Sequence, residues 1–184
     1  AVRKFLTLVA GVLVLMAQAR PSILNRQLLI VLDGLRPDYV RPDIMPNLYA
    51  FGQQGVVFQN HHAVYPTVTR VNASSIATGT YPAAHGLIGN SVFFPAVDPA
   101  PFLENSDQAN LVKINESEKG RLQTATTMGE ILQKAGRKML VVSSGSGGSA
   151  YLLNYHVAGG AILHNEFALP ESLASEMTAT LGPN

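Results

Sequence analysis

The amino-acid sequence predicts an α/β protein with a mostly parallel central sheet and helices on both faces. Two continuous apolar runs predict buried strands: QLLIVLDG over Gln27–Gly34, and the run that opens KMLVVSSGSGG at Lys138. Strands that are buried on both faces have this pattern, and each run ends in a turn of small or acidic residues. Segments with helical spacing separate the runs, and such alternation is typical of a parallel sheet.

Two helices are predicted in the first half of the chain. Met45–Gly55 has apolar residues at helical spacing and closes on a glycine that can end it. Residues 56–64, VVFQNHHAV, predict a short strand or extended segment. The second helix is predicted over Asn72–Ala77, with Thr69 at or just before its N-terminus and Gly79 at its end.

The second half continues the alternation. Residues 91–121 are rich in Pro and Asn and predict short strands and surface excursions. TATTMGEILQKAG predicts a helix, capped by Thr126 or Thr127 and stopped by its final glycine. AILHNEF (161–167) predicts a strand, and PESLASEMTATL, opened by Pro170, predicts a last helix.

Residues 1–19 have the build of a secretory signal peptide. A basic start precedes an apolar run from Phe5 to Met16 and the small-x-small end Ala17-Gln18-Ala19. The run is shorter than the roughly 20 residues of a membrane span, and an uncleaved N-terminal anchor is the alternative. We therefore expect residues 20–184 to be exported, to the periplasm or the extracellular space, with no membrane span after cleavage.

Charge and cysteine content exclude several classes of function. The formal charge of +1 becomes about −1 without the leader, because 11 basic residues then face 12 acidic ones. No basic nucleic-acid-binding patch is expected at this charge. The chain has no cysteine, which excludes disulfides and thiolate metal sites.

Asp33 and a cluster of hydroxyls are the candidate catalytic residues. Asp33 follows an apolar run, where its carboxylate could bind a cation such as zinc or simply cap a turn. A threonine at a helix N-terminus could attack phosphorus or sulfur, because the helix dipole and the N–H groups there stabilise an anion. Spacing does not decide between Thr67 and Thr69, and capping alone is the alternative role for either.

The segment LLIVLDGLRPDY, followed by YPTVTRVNASSIATGTYPAAHGLIGN, resembles the type I phosphodiesterase/nucleotide pyrophosphatase family of the alkaline phosphatase superfamily. The shared pattern is a strand ending in Asp-Gly, then Pro-Thr-x-Thr-x-x-Asn, Thr-Gly-x-Tyr-Pro-x-x-His-Gly and Asn. It covers residues 27–90 closely and residues 126–167 loosely. The resemblance implies an alkaline-phosphatase-like three-layer sandwich, of which residues 20–184 are the incomplete N-terminal part.

The resemblance also implies roles for individual residues. Asp33 matches a zinc ligand, and Thr69 matches the nucleophile that binds the same zinc. Asn90 matches the asparagine whose amide holds a phosphate oxygen, and the N–H of Arg70 would be a second donor. Asn72 matches a structural asparagine. The implied reaction is attack by Thr69 on a phosphodiester, then hydrolysis of the phosphothreonine, at a site with two zinc ions and a small-molecule phosphodiester or nucleotide substrate.

Two departures from the family pattern change what is expected. Arg70-Val71-Asn72-Ala73 replaces Phe-Pro-Asn-His after the nucleophile, so nucleotide preference is open, and the Arg70 side chain faces either an anionic group or solvent. The family completes its metal site with later Asp and His residues, and this chain has no Asp after Asp107. We therefore expect residues 1–184 to be inactive alone.

Three alternatives remain at this stage. The chain could belong to a phosphonate or phosphomonoester hydrolase of the same superfamily, or be a non-catalytic binding domain on the same scaffold. A sulfatase is less compatible, because Thr67-Val68-Thr69-Arg70 lacks the Cys/Ser-x-Pro-x-Arg motif.

His85, which precedes a glycine at a turn, is expected to make a structural hydrogen bond.

Overall fold

The computed structural model describes residues 26–182, and the chain divides into two compact units. The first unit ends at Gly55 and contains a 3₁₀ turn, Pro37–Tyr39, and helix α1, Pro46–Gly52. The predicted signal peptide, residues 1–19, lies outside the described residues. Within the described range, no helix has both the length and the apolarity needed to cross a membrane.

The strand predicted over Gln27–Gly34 is absent. The segment is irregular, and its apolar side chains are exposed, from 84% for Leu28 to 50% for Leu32. An apolar run becomes a strand only where a neighbouring strand supplies hydrogen-bond partners. Among the described residues this segment belongs to no sheet, and residues 56–64 likewise form no strand.

The second unit begins at Val56 and contains six helices and five short strands within the described range. The helices are α2 (Thr69–Thr78), α3 (Pro82–His85), α4 (Gln108–Ser117), α5 (Met128–Lys134), α6 (Gly147–Leu153) and α7 (Glu171–Leu181). The strands are β1 (Ser91–Val92), β2 (Leu103–Glu104), β3 (Leu140–Ser143), β4 (Ala161–His164) and β5 (Ala168–Leu169).

The strands form two small sheets. β1 and β2 make an antiparallel ribbon in which Ser91 lies opposite Glu104. The other sheet has the order β3-β4-β5, with β3 parallel to β4 and β5 antiparallel to β4. The unit is a mixed α/β structure, consistent with an alkaline-phosphatase-like fold, and the predicted mostly parallel central sheet is not confirmed.

Side-chain caps mark the starts of three helices among the described residues. In α5 the Thr127 hydroxyl accepts from the N–H of Glu130, and the Glu130 carboxylate accepts from the N–H of Thr127, which confirms the predicted start. Helices α4 and α6 were not predicted, yet each has its own cap. Asp107 accepts from the N–H of Ala109 at 2.8 Å, and Ser146 caps α6 in the same way.

Helix α2 packs against α6, and this contact organises the core of the second unit. Leu152 on α6 and Ile162 on β4 have no exposed surface, and Leu111 joins them from α4. Strand β3 buries Val141 against this core, while its opposite face stays exposed. The core therefore buries one side of α2, while Thr69 and Arg70 at its N-terminus are half-buried.

Candidate active site

Thr69 is the first residue of α2, and the residues that follow it in the helix pack into the core. Val71 and Ala77 on α2 have no exposed surface, and Gly79 ends the helix in the left-handed conformation, at φ 67°. The preceding residue, Val68, is extended and makes no side-chain cap. Thr69 therefore lies at the positive end of a ten-residue helix whose own sequence provides no N-cap.

Asn90 caps α2 from outside the helix. Its Oδ1 accepts a hydrogen bond from the backbone N–H of Arg70 at 3.3 Å, across 20 positions of sequence. An N–H in the first turn has no partner within its own helix, so Asn90 supplies the acceptor that Val68 lacks. The contact brings together the two groups that the resemblance implies as phosphate donors. A phosphate oxygen that takes the Arg70 N–H must therefore replace Asn90 Oδ1.

Asn105 holds the segment that carries Asn90, and sequence reasoning missed it. Its backbone N–H donates to the carbonyl of Asn90 at 2.8 Å, and its Nδ2 donates to the carbonyl of Gly89 at 3.0 Å. The side chain of Asn105 is fully buried. A single asparagine in an Asn-rich loop has no local signature, so only the three-dimensional contacts reveal it.

Asn72 uses both ends of its carboxamide to shape the loop before the helix. Oδ1 accepts from the N–H of Val64 at 3.0 Å, and Nδ2 donates to the carbonyl of Val68 at 3.0 Å. These bonds close the chain immediately before Thr69, in agreement with the structural role that was expected. Thr67, the alternative nucleophile, is exposed in this loop, whereas Thr69 is half-buried at the helix start.

His85 is buried and links α2 to the turn that leads toward Asn90. Its Nε2 lies 2.9 Å from Ser75 Oγ, and its Nδ1 accepts from the N–H of Leu87 at 3.2 Å. Because Nδ1 is an acceptor, the ring proton is assigned to Nε2, which donates to Ser75. Burial lowers the pKa of His85. The ring is therefore neutral and structural, as the sequence suggested.

The side chain of Arg70 adds positive charge beside Thr69. Arg70 is half-buried, and its Nε has neither accessible surface nor a hydrogen-bond partner in the described part of the chain. The ion pairs found within residues 26–182 do not include it. A partly desolvated guanidinium without a counter-charge favours an anion nearby. Arg70 thus places a half-buried positive charge in the first turn of α2.

Comparison with known proteins gives the family. The sequence profile described as type I phosphodiesterase / nucleotide pyrophosphatase matches residues 27–162, which is well over half of the chain. The chain belongs to the type I phosphodiesterase/nucleotide pyrophosphatase family. The match confirms the resemblance seen in the sequence and includes α2, the Asn90 segment, α5 and β3.

Several curated relatives match the N-terminal part of this phosphodiesterase family member. Mouse bis(5'-adenosyl)-triphosphatase enpp4 is 36% identical over 83 residues, covering 45% of this chain and 18% of the relative. Human ectonucleotide pyrophosphatase/phosphodiesterase family member 1 is 34% identical over 85 residues, which cover 45% of this chain and 9% of the relative. Venom phosphodiesterase 2 of Crotalus adamanteus is 40% identical over 68 residues, which cover 36% of this chain and 8% of the relative. The matches therefore span less than a fifth of these relatives, and no solved structure matches significantly.

Asp33, the zinc ligand that the family pattern implies, belongs to the first unit. It lies in a turn with Gly34 at φ 77°, where the N–H of Leu35 donates to the carbonyl of Leu32 at 3.2 Å. No group of three or more His, Asp or Glu side chains in residues 26–182 is placed to hold a metal ion. Carboxylate and hydroxyl oxygens suit zinc, but a catalytic zinc takes about three protein ligands. The Asp33 carboxylate and the Thr69 hydroxyl are each of a ligand type that can bind a metal ion, and two such ligands do not complete a catalytic zinc site.

Proposed function

We propose that the full-length protein is a zinc-dependent hydrolase of phosphodiester or pyrophosphate bonds in small molecules such as nucleotides, with Thr69 as the nucleophile. The observation that carries the proposal is the cluster at the start of α2. Thr69 opens the helix, and the neighbouring Arg70 N–H is bonded to Asn90 Oδ1 at 3.3 Å. A nucleophile beside anion-binding donors is the arrangement that phosphoryl transfer requires.

In the proposed reaction, Thr69 Oγ attacks phosphorus in line with the leaving oxygen. The O–P bond to threonine forms as the bond to the leaving oxygen breaks; the leaving oxygen departs with the electron pair of that bond, and the hydroxyl proton passes to solvent. Water then cleaves the phosphothreonine and restores Thr69. The Arg70 N–H and the Asn90 amide hold the non-bridging oxygens, whose negative charge the helix dipole also stabilises. Zinc, held in part by Asp33 and Thr69, would stabilise the charge on the entering and leaving oxygens.

The names of the relatives support the substrate class and the location. They include a bis(5'-adenosyl)-triphosphatase and several phosphodiesterases. We propose phosphodiesters or nucleotides as the substrate class of this protein as well. "Ectonucleotide" and "venom" describe proteins outside the cell, and we propose the same for this protein. Because the chain spans only a small part of these relatives, we propose that residues outside it complete the metal site and that residues 1–184 alone are inactive.

The test uses the full-length gene product with bis(p-nitrophenyl) phosphate as substrate. We expect hydrolysis that disappears on treatment with a chelator and in Thr69→Ala, and that persists in the matched control Thr67→Ala. Acid quenching during turnover should leave a p-nitrophenyl phosphoryl group on the peptide that contains Thr69, because only one of the two p-nitrophenolate groups leaves in the first step. Full activity in Thr69→Ala, or the trapped p-nitrophenyl phosphoryl group on another residue, would overturn the assignment of the nucleophile. Activity that survives complete metal removal would overturn the zinc dependence.

A further inference from the structure

We infer that Asn105 is a positioning residue, which acts on the reaction by fixing the backbone on both sides of Asn90. The expected effect on turnover rests on the proposed function. The expected effect on the position of Asn90 rests on the geometry alone. Asn105 touches none of the groups proposed to react. The hydrogen bonds that it donates go to the carbonyls of Gly89 and Asn90, so the proposed effect on chemistry acts through Asn90.

The two bonds hold consecutive peptide groups. The Asn105 N–H donates to the Asn90 carbonyl at 2.8 Å, and Nδ2 donates to the Gly89 carbonyl at 3.0 Å. Fixing both carbonyls fixes the direction in which the Asn90 side chain leaves the backbone. Strand β1, which follows Asn90, has only two residues, so its pairing with β2 provides little restraint by itself.

Asn105 is itself held by the core of the unit. Gly148 on α6 packs so closely that a Cβ on it would lie 1.7 Å from the Asn105 carbonyl oxygen. The N–H of Gly148 also donates to the carbonyl of Ser106 at 2.8 Å. A continuous series of contacts therefore runs from α6 through Asn105 to Asn90 and ends at the Arg70 N–H.

The last contact in this series is sensitive to position. The Arg70 N to Asn90 Oδ1 distance is 3.3 Å, beyond the usual range of N–H···O bonds, which extends to about 3.2 Å. A further shift of Asn90 of a few tenths of an ångström would break it. Misplacement on the order of 1 Å in an active site can reduce a rate by roughly a hundredfold. Loss of the Gly89 anchor should therefore weaken both the cap on α2 and the proposed phosphate contact.

The first test is a double-mutant cycle in the full-length enzyme, assayed with bis(p-nitrophenyl) phosphate. Asn105→Ala should lower kcat roughly tenfold to a hundredfold, more than it raises KM, and should have almost no further effect in an Asn90→Ala background. If the two substitutions lowered kcat by independent factors that multiply in the double variant, the inference would be overturned. Asn105→Ser keeps a hydroxyl donor and leaves a smaller cavity, so it serves if Asn105→Ala does not fold.

Gln123→Ala is the matched control. Gln123 is also a buried carboxamide, with Nε2 donating to the Leu152 carbonyl at 2.7 Å and Oε1 without a partner among the described residues. Asn105 Oδ1 is buried and unpaired in the same way. Gln123→Ala should therefore destabilise the fold as Asn105→Ala does, while kcat stays unchanged. An equal loss of kcat in both variants would show a general effect of destabilisation and overturn the inference.

The second test does not depend on activity. Residue-resolved hydrogen exchange should show that Asn105→Ala, or Asn105→Ser, speeds exchange of the Arg70 amide about tenfold relative to the Asn72 amide. The Asn72 N–H, which bonds to the carbonyl of Val68 at the N-cap of α2, is the internal reference. Unchanged exchange at Arg70 would overturn the inference. If Thr69→Ala and Asn90→Ala keep full activity, the proposed function is wrong, and this measurement still decides whether Asn105 positions Asn90.

Discussion

The carboxamide oxygen of Asn90 accepts the backbone N–H of Arg70 at 3.3 Å, and so caps a helix that begins 21 residues earlier, at Thr69. Val68 stands at the usual capping position and has no polar side chain to fill it. Asn90 thus has two tasks in one side chain. Its oxygen completes the helix that presents Thr69, and its NH2 group is the proposed donor to phosphate.

Substitution at Asn90 should separate these two tasks. Asn90→Asp keeps an oxygen for the Arg70 N–H and places a negative charge at a helix N-terminus, so stability should be kept. The same change removes the NH2 donor and repels phosphate, so kcat/KM should fall by roughly a hundredfold or more. Asn90→Ala should lose stability, by about 1 kcal/mol, as well as activity. The measurements are urea unfolding and bis(p-nitrophenyl) phosphate hydrolysis; equal stability of the two variants would contradict the capping role.

Asn72→Ala should loosen the loop that precedes Thr69. The change leaves the Val64 N–H without its partner and removes one of the two donors to the Val68 carbonyl, which keeps the backbone N–H of residue 72. Loss of a partner for a partly buried group costs about 1–3 kcal/mol of unfolding free energy. Turnover should fall as well, because Thr69 follows the loop directly. Asn115→Ala is the control: Asn115 Oδ1 accepts from the N–H of Leu122 at 3.1 Å, a contact that does not involve α2. If both variants kept wild-type kcat, Asn72 would have no effect on the position of Thr69.

His85 should make stability fall in mild acid. Burial lowers the pKa of His85 in the folded state below the ordinary value of 6.5, so the unfolded chain binds a proton that the folded chain does not. The stabilisation is fully present above pH 6.5 and is lost as the pH falls from there toward the folded pKa. Protonation would also turn Nδ1 into a donor facing the Leu87 N–H.

The measurement for His85 is the thermal midpoint between pH 8 and pH 5. His85→Gln removes the titrating group and should flatten this profile, although it lowers stability at pH 8. The exposed His62 provides a control, because His62→Gln should retain the wild-type profile. An unchanged pH dependence in His85→Gln would assign the acid sensitivity to other groups.

Gly148→Ala should be one of the most damaging small substitutions in the second unit. Its Cβ would lie 1.7 Å from the Asn105 carbonyl oxygen, which is backbone and cannot move without shifting the Asn90 segment. We expect a loss of about 3 kcal/mol or more by urea unfolding. Gly145→Ala, three residues earlier, meets only Ser143 Oγ at 3.7 Å and should change stability little. Similar urea midpoints for the two variants would show that the contact between Gly148 and the Asn105 carbonyl can relax at little cost in stability.

The sequence predicted features that are encoded locally. The apolar spacing and the Thr127 cap predicted α5, and the helix-forming residues before Gly79 predicted α2, which is longer than the predicted Asn72–Ala77. Both predictions succeeded because a helix makes its hydrogen bonds within one segment. Gln27–Gly34 was predicted wrongly as a strand, since a strand requires partners that local pattern does not supply. Helix α4 was missed because the surrounding Pro and Asn content suggested loops, although Asp107 was available to cap it.

The same distinction applies to the candidate site. Thr69, Arg70 and Asn90 were found because a family pattern connects residues that lie far apart in sequence. Asn105 belongs to no such pattern, and its contribution is visible only in its bonds to the Gly89 and Asn90 carbonyls. Residues that act through tertiary contacts leave no periodicity or motif for sequence reasoning to detect.

Strand β3 has a consequence for handling the chain. It lies at one end of the β3-β4-β5 sheet, and within the described residues it pairs only with β4. Leu140 and Val142, on the face opposite Val141, are 61% and 71% exposed. Natural proteins protect edge strands with charge, proline or a covering element, and β3 has neither a charged residue nor a proline. A preparation of residues 1–184 alone should therefore self-associate as its concentration rises, and low protein concentration will be needed to keep it monomeric.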